Sequence, residues 1–127
     1  MLTSLHIENF RGLGQLEMSG LDRVNLIAGR NNVGKTTVLE AIFQHCYPRN
    51  FQNLLNLERM RGIENPNIDS AAEWLAHEGS ENHWSRIVST DSMNQKRSSS
   101  FIIVDANEFK LSTELADARE LTHSSIF

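Results

Sequence analysis

Residues 29–36 read GRNNVGKT, and this stretch satisfies G-x-x-x-x-G-K-[ST] at every fixed position. Glycines at the bends let backbone N–H groups close around a phosphate group, and a helix that follows directs its N-terminal N–H groups at the same anion. In such a loop Lys35 binds the β- and γ-phosphates, while the Thr36 hydroxyl is a ligand of Mg²⁺. The stretch therefore predicts a phosphate-binding loop (P-loop) for a nucleoside triphosphate and Mg²⁺.

The apolar pattern before the loop predicts β-strands. Residues 2–10 alternate in the manner of a half-buried strand, and residues 15–18 resume a short strand that Gly20 ends. Residues 24–28 form a compact apolar run closed by Gly29, which predicts a buried strand that leads into the loop.

After Gly34 the apolar period becomes helical. Val38 and Ile42 share one side, as do Leu39, Phe43 and Cys46, so these side chains are expected to form the inner face of a helix from residue 35 to residue 46. Pro48 ends that helix.

The second half of the chain has weaker signals. The expected elements are a helix at residues 51–61, a loop at 62–70, a short helix at 71–78, an exposed or mobile polar stretch at 89–100, and a β-hairpin of residues 101–104 and 109–113 with a four-residue turn. A C-terminal helix within residues 112–123 is the alternative to the second arm of that hairpin.

The residues around the loop resemble the N-terminus of SMC, RecF and OLD-type ATPases, which belong to the ABC-like class. Residues 5–12 (LHIENFRG) and 24–29 (VNLIAG) carry the resemblance, together with Asn31 and the stretch LEAI at residues 39–42. The resemblance covers about the first 46 residues. It implies two head domains that hold ATP between the P-loop of one and a signature loop of the other. It also implies a role in DNA repair, chromosome handling or phage defence, and OLD-type members often carry a separate Toprim nuclease domain.

The resemblance also implies that Arg11 approaches the nucleotide, with a solvated turn arginine as the alternative. Arg30 points either to solvent or to a partner head, and Thr37 is placed to contact the α-phosphate. The predicted cofactor-binding residues are Gly29, Arg30, Asn31, Asn32, Val33, Gly34, Lys35, Thr36, Thr37 and Arg11. Thr36 is the predicted metal ligand, and no catalytic residue can be assigned.

Several motifs of a complete head are missing from these 127 residues. There is no Ser-Gly-Gly signature and no apolar run followed by Asp-Glu. The stretch FIIVD at residues 101–105 has the form of a Walker B strand, in which Asp105 would hold Mg²⁺ through water, but Ala106 replaces the glutamate and the hairpin is preferred. Asn-Lys-x-Asp, which reads guanine in GTPases, is also absent, so adenine is the expected base.

Composition restricts the class of protein. The 39% hydrophobic and 22% charged content is that of a soluble globular domain, and the net charge of −4 gives no overall attraction to DNA or to an anionic membrane. Cys46 is the single cysteine, so no internal disulfide is possible, and no apolar run is long enough to span a bilayer. We expect a cytoplasmic protein without a membrane segment.

Together these signals predict an α/β fold: the N-terminal lobe of a P-loop NTPase with a mixed sheet and a peripheral antiparallel β-hairpin. Residues 1–127 form one partial ATPase head, with the strands, loop and first helix in 1–48 and the rest of the lobe in 49–127. The expected cofactors are ATP and Mg²⁺. A homo- or hetero-oligomer is expected to supply the rest of the head, and DNA is a possible partner that the charge does not indicate. The alternative is a non-catalytic module that binds nucleotide or protein without hydrolysis, and whether the chain is an ATPase enzyme stays open.

Overall fold

The first strand places the core. In β1 (Leu2–Phe10), Leu5 and Ile7 alternate inward and are buried. Asn9 has a positive φ of 51°, which interrupts the alternation and lets Phe10 turn inward as well. These three side chains pack with Val38, Ala41, Leu54, Ala71, Ile87 and Phe101 in one hydrophobic core.

The computed structural model describes residues 1–31, 34–48, 50, 52–67, 71, 84–105, 108–117 and 120–126. After β1 the chain forms β2 (Leu13–Ser19), α1 (Lys35–Cys46), α2 (Gln52–Met60), β3 (Trp84–Asp91), β4 (Gln95–Asp105), β5 (Glu108–Asp117) and β6 (Glu120–Ile126). The six strands that the structure describes form one sheet in the order β2-β1-β3-β4-β5-β6.

Every ladder in this described sheet is antiparallel. The fold combines this sheet with two described helices, which confirms an α/β architecture at that level. The prediction of a mixed sheet is wrong, because each pair of adjacent strands in the described sheet runs in opposite directions.

The predicted strand at residues 24–28 is also wrong. These residues form no strand, and the side chains of Val24 and Leu26 are 89% and 93% exposed. Strand β1 already has β2 on one edge and β3 on the other, so it offers residues 24–28 no free edge for a ladder. Only Ile27 packs partly against the core. The apolar run therefore has no covering surface within the described part of the chain.

Helix α1 begins and ends as predicted, but its buried face is different. The inward side chains are Val38, Glu40, Ala41, Gln44 and His45, whereas Leu39, Phe43 and Cys46 are exposed. The prediction assigned the apolar side chains to the interior. Val38 is buried and Ile42 packs partly against the core, as predicted. Glu40 and His45 are buried where Leu39, Phe43 and Cys46 were expected, because both polar side chains have partners in the interior.

His45 joins the C-terminal end of α1 to the sheet. Its Nδ1 lies 2.8 Å from Ser99 Oγ on β4, and its Nε2 lies 2.7 Å from Ser89 Oγ on β3. Arg97 adds a bond from its Nη2 to the Cys46 carbonyl oxygen, 3.2 Å away, at the end of the same helix. The expectation of an exposed or mobile stretch at residues 89–100 is therefore wrong, since Ser89 and Ser99 are buried strand residues.

The C-terminal part of the described chain confirms the hairpin, but the four-residue turn is wrong because Asp105 and Glu108 belong to the strands. Strands β4 and β5 pair antiparallel, with Asp105 opposite Glu108 at the tip. The alternative helix within residues 112–123 is wrong, because β5 and β6 occupy the described part of that range. Helix α2 confirms the helix predicted at residues 51–61, and residues 62–67 form the predicted loop. Apart from Ala71, the short helix predicted at residues 71–78 lies outside the described residues.

No helix in the described ranges is long and apolar enough to cross a membrane.

The His45 contacts predict a dependence of stability on pH. Burial, together with the smaller effect of the nearby positive charge of Arg97, lowers the pKa of His45 to about 4. Between the unfolded pKa of 6.5 and about 4, the unfolded chain therefore binds a proton that the folded chain excludes. We expect the free energy of unfolding to be highest above the unfolded pKa and to fall by up to about 3 kcal/mol as the pH drops through this window.

Urea unfolding at several pH values measures this effect. His45→Gln keeps a hydrogen-bonding side chain but cannot titrate, so its stability should depend less on pH over the same window. Identical pH profiles for the two proteins would contradict the assignment to His45.

Candidate functional site

The P-loop leads directly into α1 through Gly34. This residue is the N-cap of the helix and has φ of 100°, a left-handed conformation that favours glycine. The Val38 N–H donates to the Gly34 carbonyl oxygen at 2.9 Å, which closes the first helical turn. A Cβ atom added at Gly34 would lie 3.0 Å from Leu13 Cδ2. The backbone conformation therefore favours glycine here, and any other residue would also require the Leu13 side chain to shift.

Lys35 points back over the loop. Its Nζ donates to the carbonyl oxygens of Gly29 and Arg30, at 2.5 Å and 2.6 Å. An ammonium group has three N–H donors, so these two bonds leave one donor for another acceptor. The contacts hold the ammonium group next to the backbone of residues 29 and 30.

A cavity of about 760 Å³ opens beside the loop, which is within the usual size of ligand sites. Its described lining consists of Gly12, Asn31, Gly34, Lys35, Thr36, Thr37 and Arg61. Two of these side chains are cationic, and none of the described lining residues is acidic. The cavity is therefore electrostatically suited to an anion.

The structure brings five of the predicted site residues to this cavity: Asn31, Gly34, Lys35, Thr36 and Thr37. Gly29 and Arg30 take part through the carbonyl groups that accept from Lys35. The predictions for Asn32 and Val33 fall outside the described residues. Within the described part of the chain, no group of three or more His, Cys, Asp or Glu side chains could hold a metal ion.

Arg11 lies below the cavity in a buried ion pair. Its side chain is 5% exposed, and its Nη2 donates to Glu58 Oε1 at 2.8 Å. The Nε atom lies 3.4 Å from Glu40 Oε2. The alternative of a solvated turn arginine is wrong. Among the described residues Arg11 does not line the cavity, so its position disfavours the direct nucleotide contact that the resemblance implies.

Glu40 extends this network to the surface of the cavity. Its two carboxylate oxygens accept from Arg61, with Nε to Oε1 at 2.7 Å and Nη2 to Oε2 at 2.6 Å. These bonds to Glu40 raise the pKa of Arg61, and its guanidinium group stays charged. Sequence reasoning missed Arg61. The available signal was its place before Gly62 at the end of a predicted helix.

The buried ion pairs therefore connect three elements. Arg11 follows β1, Glu40 lies on α1, and Glu58 lies on α2. Because α1 begins at the P-loop, this arrangement fixes the position of the loop relative to the sheet.

Comparison with known proteins identifies the family of the chain. The AAA ATPase domain family matches residues 1–123. The chain belongs to the AAA ATPase domain family. This membership implies nucleotide binding, and the partial matches to RecF and Rad50 proteins confirm the resemblance to the N-terminal region of SMC/RecF-type P-loop ATPases.

Individual relatives each match less than half of the chain. The DNA replication and repair protein RecF of Shewanella woodyi is 46% identical over 55 residues, which are 43% of this chain and 15% of that protein. The DNA double-strand break repair Rad50 ATPase of Methanopyrus kandleri is 40% identical over 53 residues, or 42% of this chain and 6% of that protein. An uncharacterized protein of Methanocaldococcus jannaschii is 45% identical over 42 residues, which cover 33% of this chain and 19% of that protein. The chain thus spans less than a fifth of the length of these relatives.

The Arg11 network predicts a large loss of stability on mutation. Arg11→Met leaves the Glu58 carboxylate buried without the arginine that binds it, and breaking a buried ion pair in this way costs about 3–5 kcal/mol. Urea unfolding measures the change.

Arg59→Met is the matched control, because Arg59 is an exposed arginine on α2 whose Nη1 donates to Asn56 Oδ1 at 3.2 Å. Its substitution should change stability by less than about 1 kcal/mol. The double variant Arg11→Met/Glu58→Gln should recover part of the loss. Equal effects of Arg11→Met and Arg59→Met would refute the structural role of Arg11.

Proposed function

We propose that this chain binds ATP together with Mg²⁺ and forms the N-terminal part of an ATPase head of the SMC/RecF/OLD type. The observation that carries the proposal is the cavity beside the P-loop, where Lys35, Thr36 and Thr37 meet at the start of α1. A helix N-terminus, a lysine and two hydroxyl groups are the donors that a triphosphate requires.

The residues present fit these cofactors. Lys35 and the N–H groups at the start of α1 would hold the phosphates, and the Thr36 hydroxyl would be a ligand of the metal ion. Bound Mg²⁺ would neutralise part of the phosphate charge. Adenine is proposed over guanine because the guanine-reading motif is absent from the sequence. We propose binding rather than hydrolysis for these 127 residues, because no side chain can be assigned to orient a water molecule.

We further propose that another polypeptide or further sequence supplies the rest of the head. Val24 and Leu26 are almost fully exposed beside the loop, and Leu39, Phe43 and Met60 line an apolar groove of about 340 Å³ between α1 and α2. These exposed apolar side chains support the proposal because a partner that covers them would remove them from water. The groove also includes Thr36 and Arg61, which line the nucleotide cavity, so a partner there would lie next to the nucleotide.

The biological process that we propose is DNA repair. The support is the names of the RecF and Rad50 relatives, which match about two fifths of this chain. Phage defence is the alternative that the likeness to OLD-type ATPases suggests. The net charge of −4 favours neither process.

Isothermal titration with Mg-ATP tests the binding proposal. Charge-assisted bonds to phosphate contribute roughly 1.5–3 kcal/mol each, so Lys35→Ala should weaken ATP binding about tenfold or more. Lys96→Ala is the matched control: Lys96 is an exposed lysine on β4 that does not line the cavity, and its substitution should leave the affinity unchanged.

Equal affinity of wild type and Lys35→Ala would refute the assignment of the loop. Competition of GTP against bound ATP addresses the base, and a clear preference for GTP would refute the choice of adenine.

A further inference from the structure

Arg61 is a second cation at the nucleotide cavity, and the P-loop motif does not account for it. Arg61 lines the same cavity as Lys35. It directly follows α2 and lies 26 positions after Lys35 in the sequence. The Arg61 side chain is 39% exposed. The Arg11 side chain contacts the same Glu40 carboxylate but is only 5% exposed. Arg61 is therefore the member of the network that a ligand in the cavity can reach.

The backbone around Arg61 is fixed by the way α2 ends. The Ile63 N–H donates to the Glu58 carbonyl oxygen at 3.1 Å, and the Gly62 N–H donates to the Arg59 carbonyl oxygen at 2.9 Å. Gly62 has φ of 88°, so the pattern is a Schellman motif with Arg61 as the last residue before the left-handed glycine. This motif holds the Cα of Arg61 at one place beside the cavity.

Glu40 holds the Arg61 side chain, and some of the Arg61 N–H groups remain available to a ligand. Glu40 accepts one bond from Nε and one from Nη2. A guanidinium group has five N–H donors, so three remain for another acceptor. Glu40 itself does not line the cavity in the described structure, and its charge is shared between Arg61 and Arg11. Arg61 therefore lines the cavity, whereas its carboxylate partner Glu40 does not.

We propose that Arg61 binds the phosphate chain of the nucleotide together with Lys35. The proposal rests on the proposed function, because it names a further residue of the same site. A planar guanidinium group binds phosphate oxygens through two parallel bonds, and its attachment to Glu40 reduces the side-chain entropy that binding would otherwise cost. Because Glu40 also contacts Arg11, occupation of the site is linked through one carboxylate to the buried network below it.

The test compares wild type with Arg61→Gln and Arg61→Lys. Affinities for Mg-ATP and for Mg-bound inorganic tripolyphosphate are measured by titration at one ionic strength. Arg61→Gln keeps a hydrogen-bond donor but removes the charge, and it should weaken binding of both ligands about tenfold. Arg61→Lys keeps the charge without the planar fork, and it should weaken both about threefold. Arg59→Gln makes the same change at an exposed arginine two positions earlier and should leave both affinities unchanged.

The pattern of results separates this proposal from the one on which it rests. If wild type binds neither ligand, both proposals fail. If binding requires Lys35 but Arg61→Gln binds both ligands as wild type does, only the role of Arg61 is refuted. A loss for ATP without a loss for tripolyphosphate would also refute it, because Arg61 would then contact the nucleoside. If Arg61→Gln lowers the unfolding temperature so far that it cannot be titrated, Arg61→Lys decides, and wild-type affinity of that variant for tripolyphosphate refutes the proposal.

Discussion

The guanidinium group of Arg11 is buried between the carboxylates of Glu40 and Glu58, and this contact restricts the arrangement of the whole site. A charged side chain loses several kcal/mol of hydration on burial unless opposite charges replace the water. The end of β1, the helix that follows the P-loop and α2 must therefore meet at one point. Arg11 also adopts φ of 50°, a conformation that non-glycine residues seldom take, and the ion pairs help to hold it there.

Helix α1 is fixed at both ends, and this determines how the P-loop is presented. Near its start, Gly34 packs against Leu13 and Glu40 joins the ion network. At its end, His45 contacts a serine on each of two adjacent strands. A phosphate site made from a helix N-terminus depends on the direction of that helix, because its N–H groups act only along the axis. The polar side chains buried on α1 thus have a structural function: they fix the helix relative to its neighbouring elements.

The sequence predicted those features whose chemistry is local. The bounds of α1 followed from Gly34 and Pro48. The assignment of residues 29–36 to phosphate binding rests on their residue types and stays a prediction. The inner face of α1 could not be predicted from hydrophobicity, since its burial of Glu40 and His45 depends on partners distant in sequence. Arg61 was missed for the same reason, because only the fold brings the end of α2 to the cavity. The strand predicted at residues 24–28 is wrong because an apolar run indicates that its side chains favour burial, but it does not indicate which element buries them.

The exposed apolar side chains at residues 24–28 link the proposed partner to the proposed nucleotide binding. Full burial of side chains such as Val24 and Leu26 stabilises a fold by about 1.5–3 kcal/mol each relative to exposure. The α1 side of the P-loop is held by Gly34 and the ion network, whereas the chain before Gly29 has mainly Ile27 against the core. A partner that covers residues 24–28 would therefore support the less constrained side of the loop. Such a partner and the nucleotide would each favour the same loop conformation, so the binding of one is expected to strengthen the binding of the other.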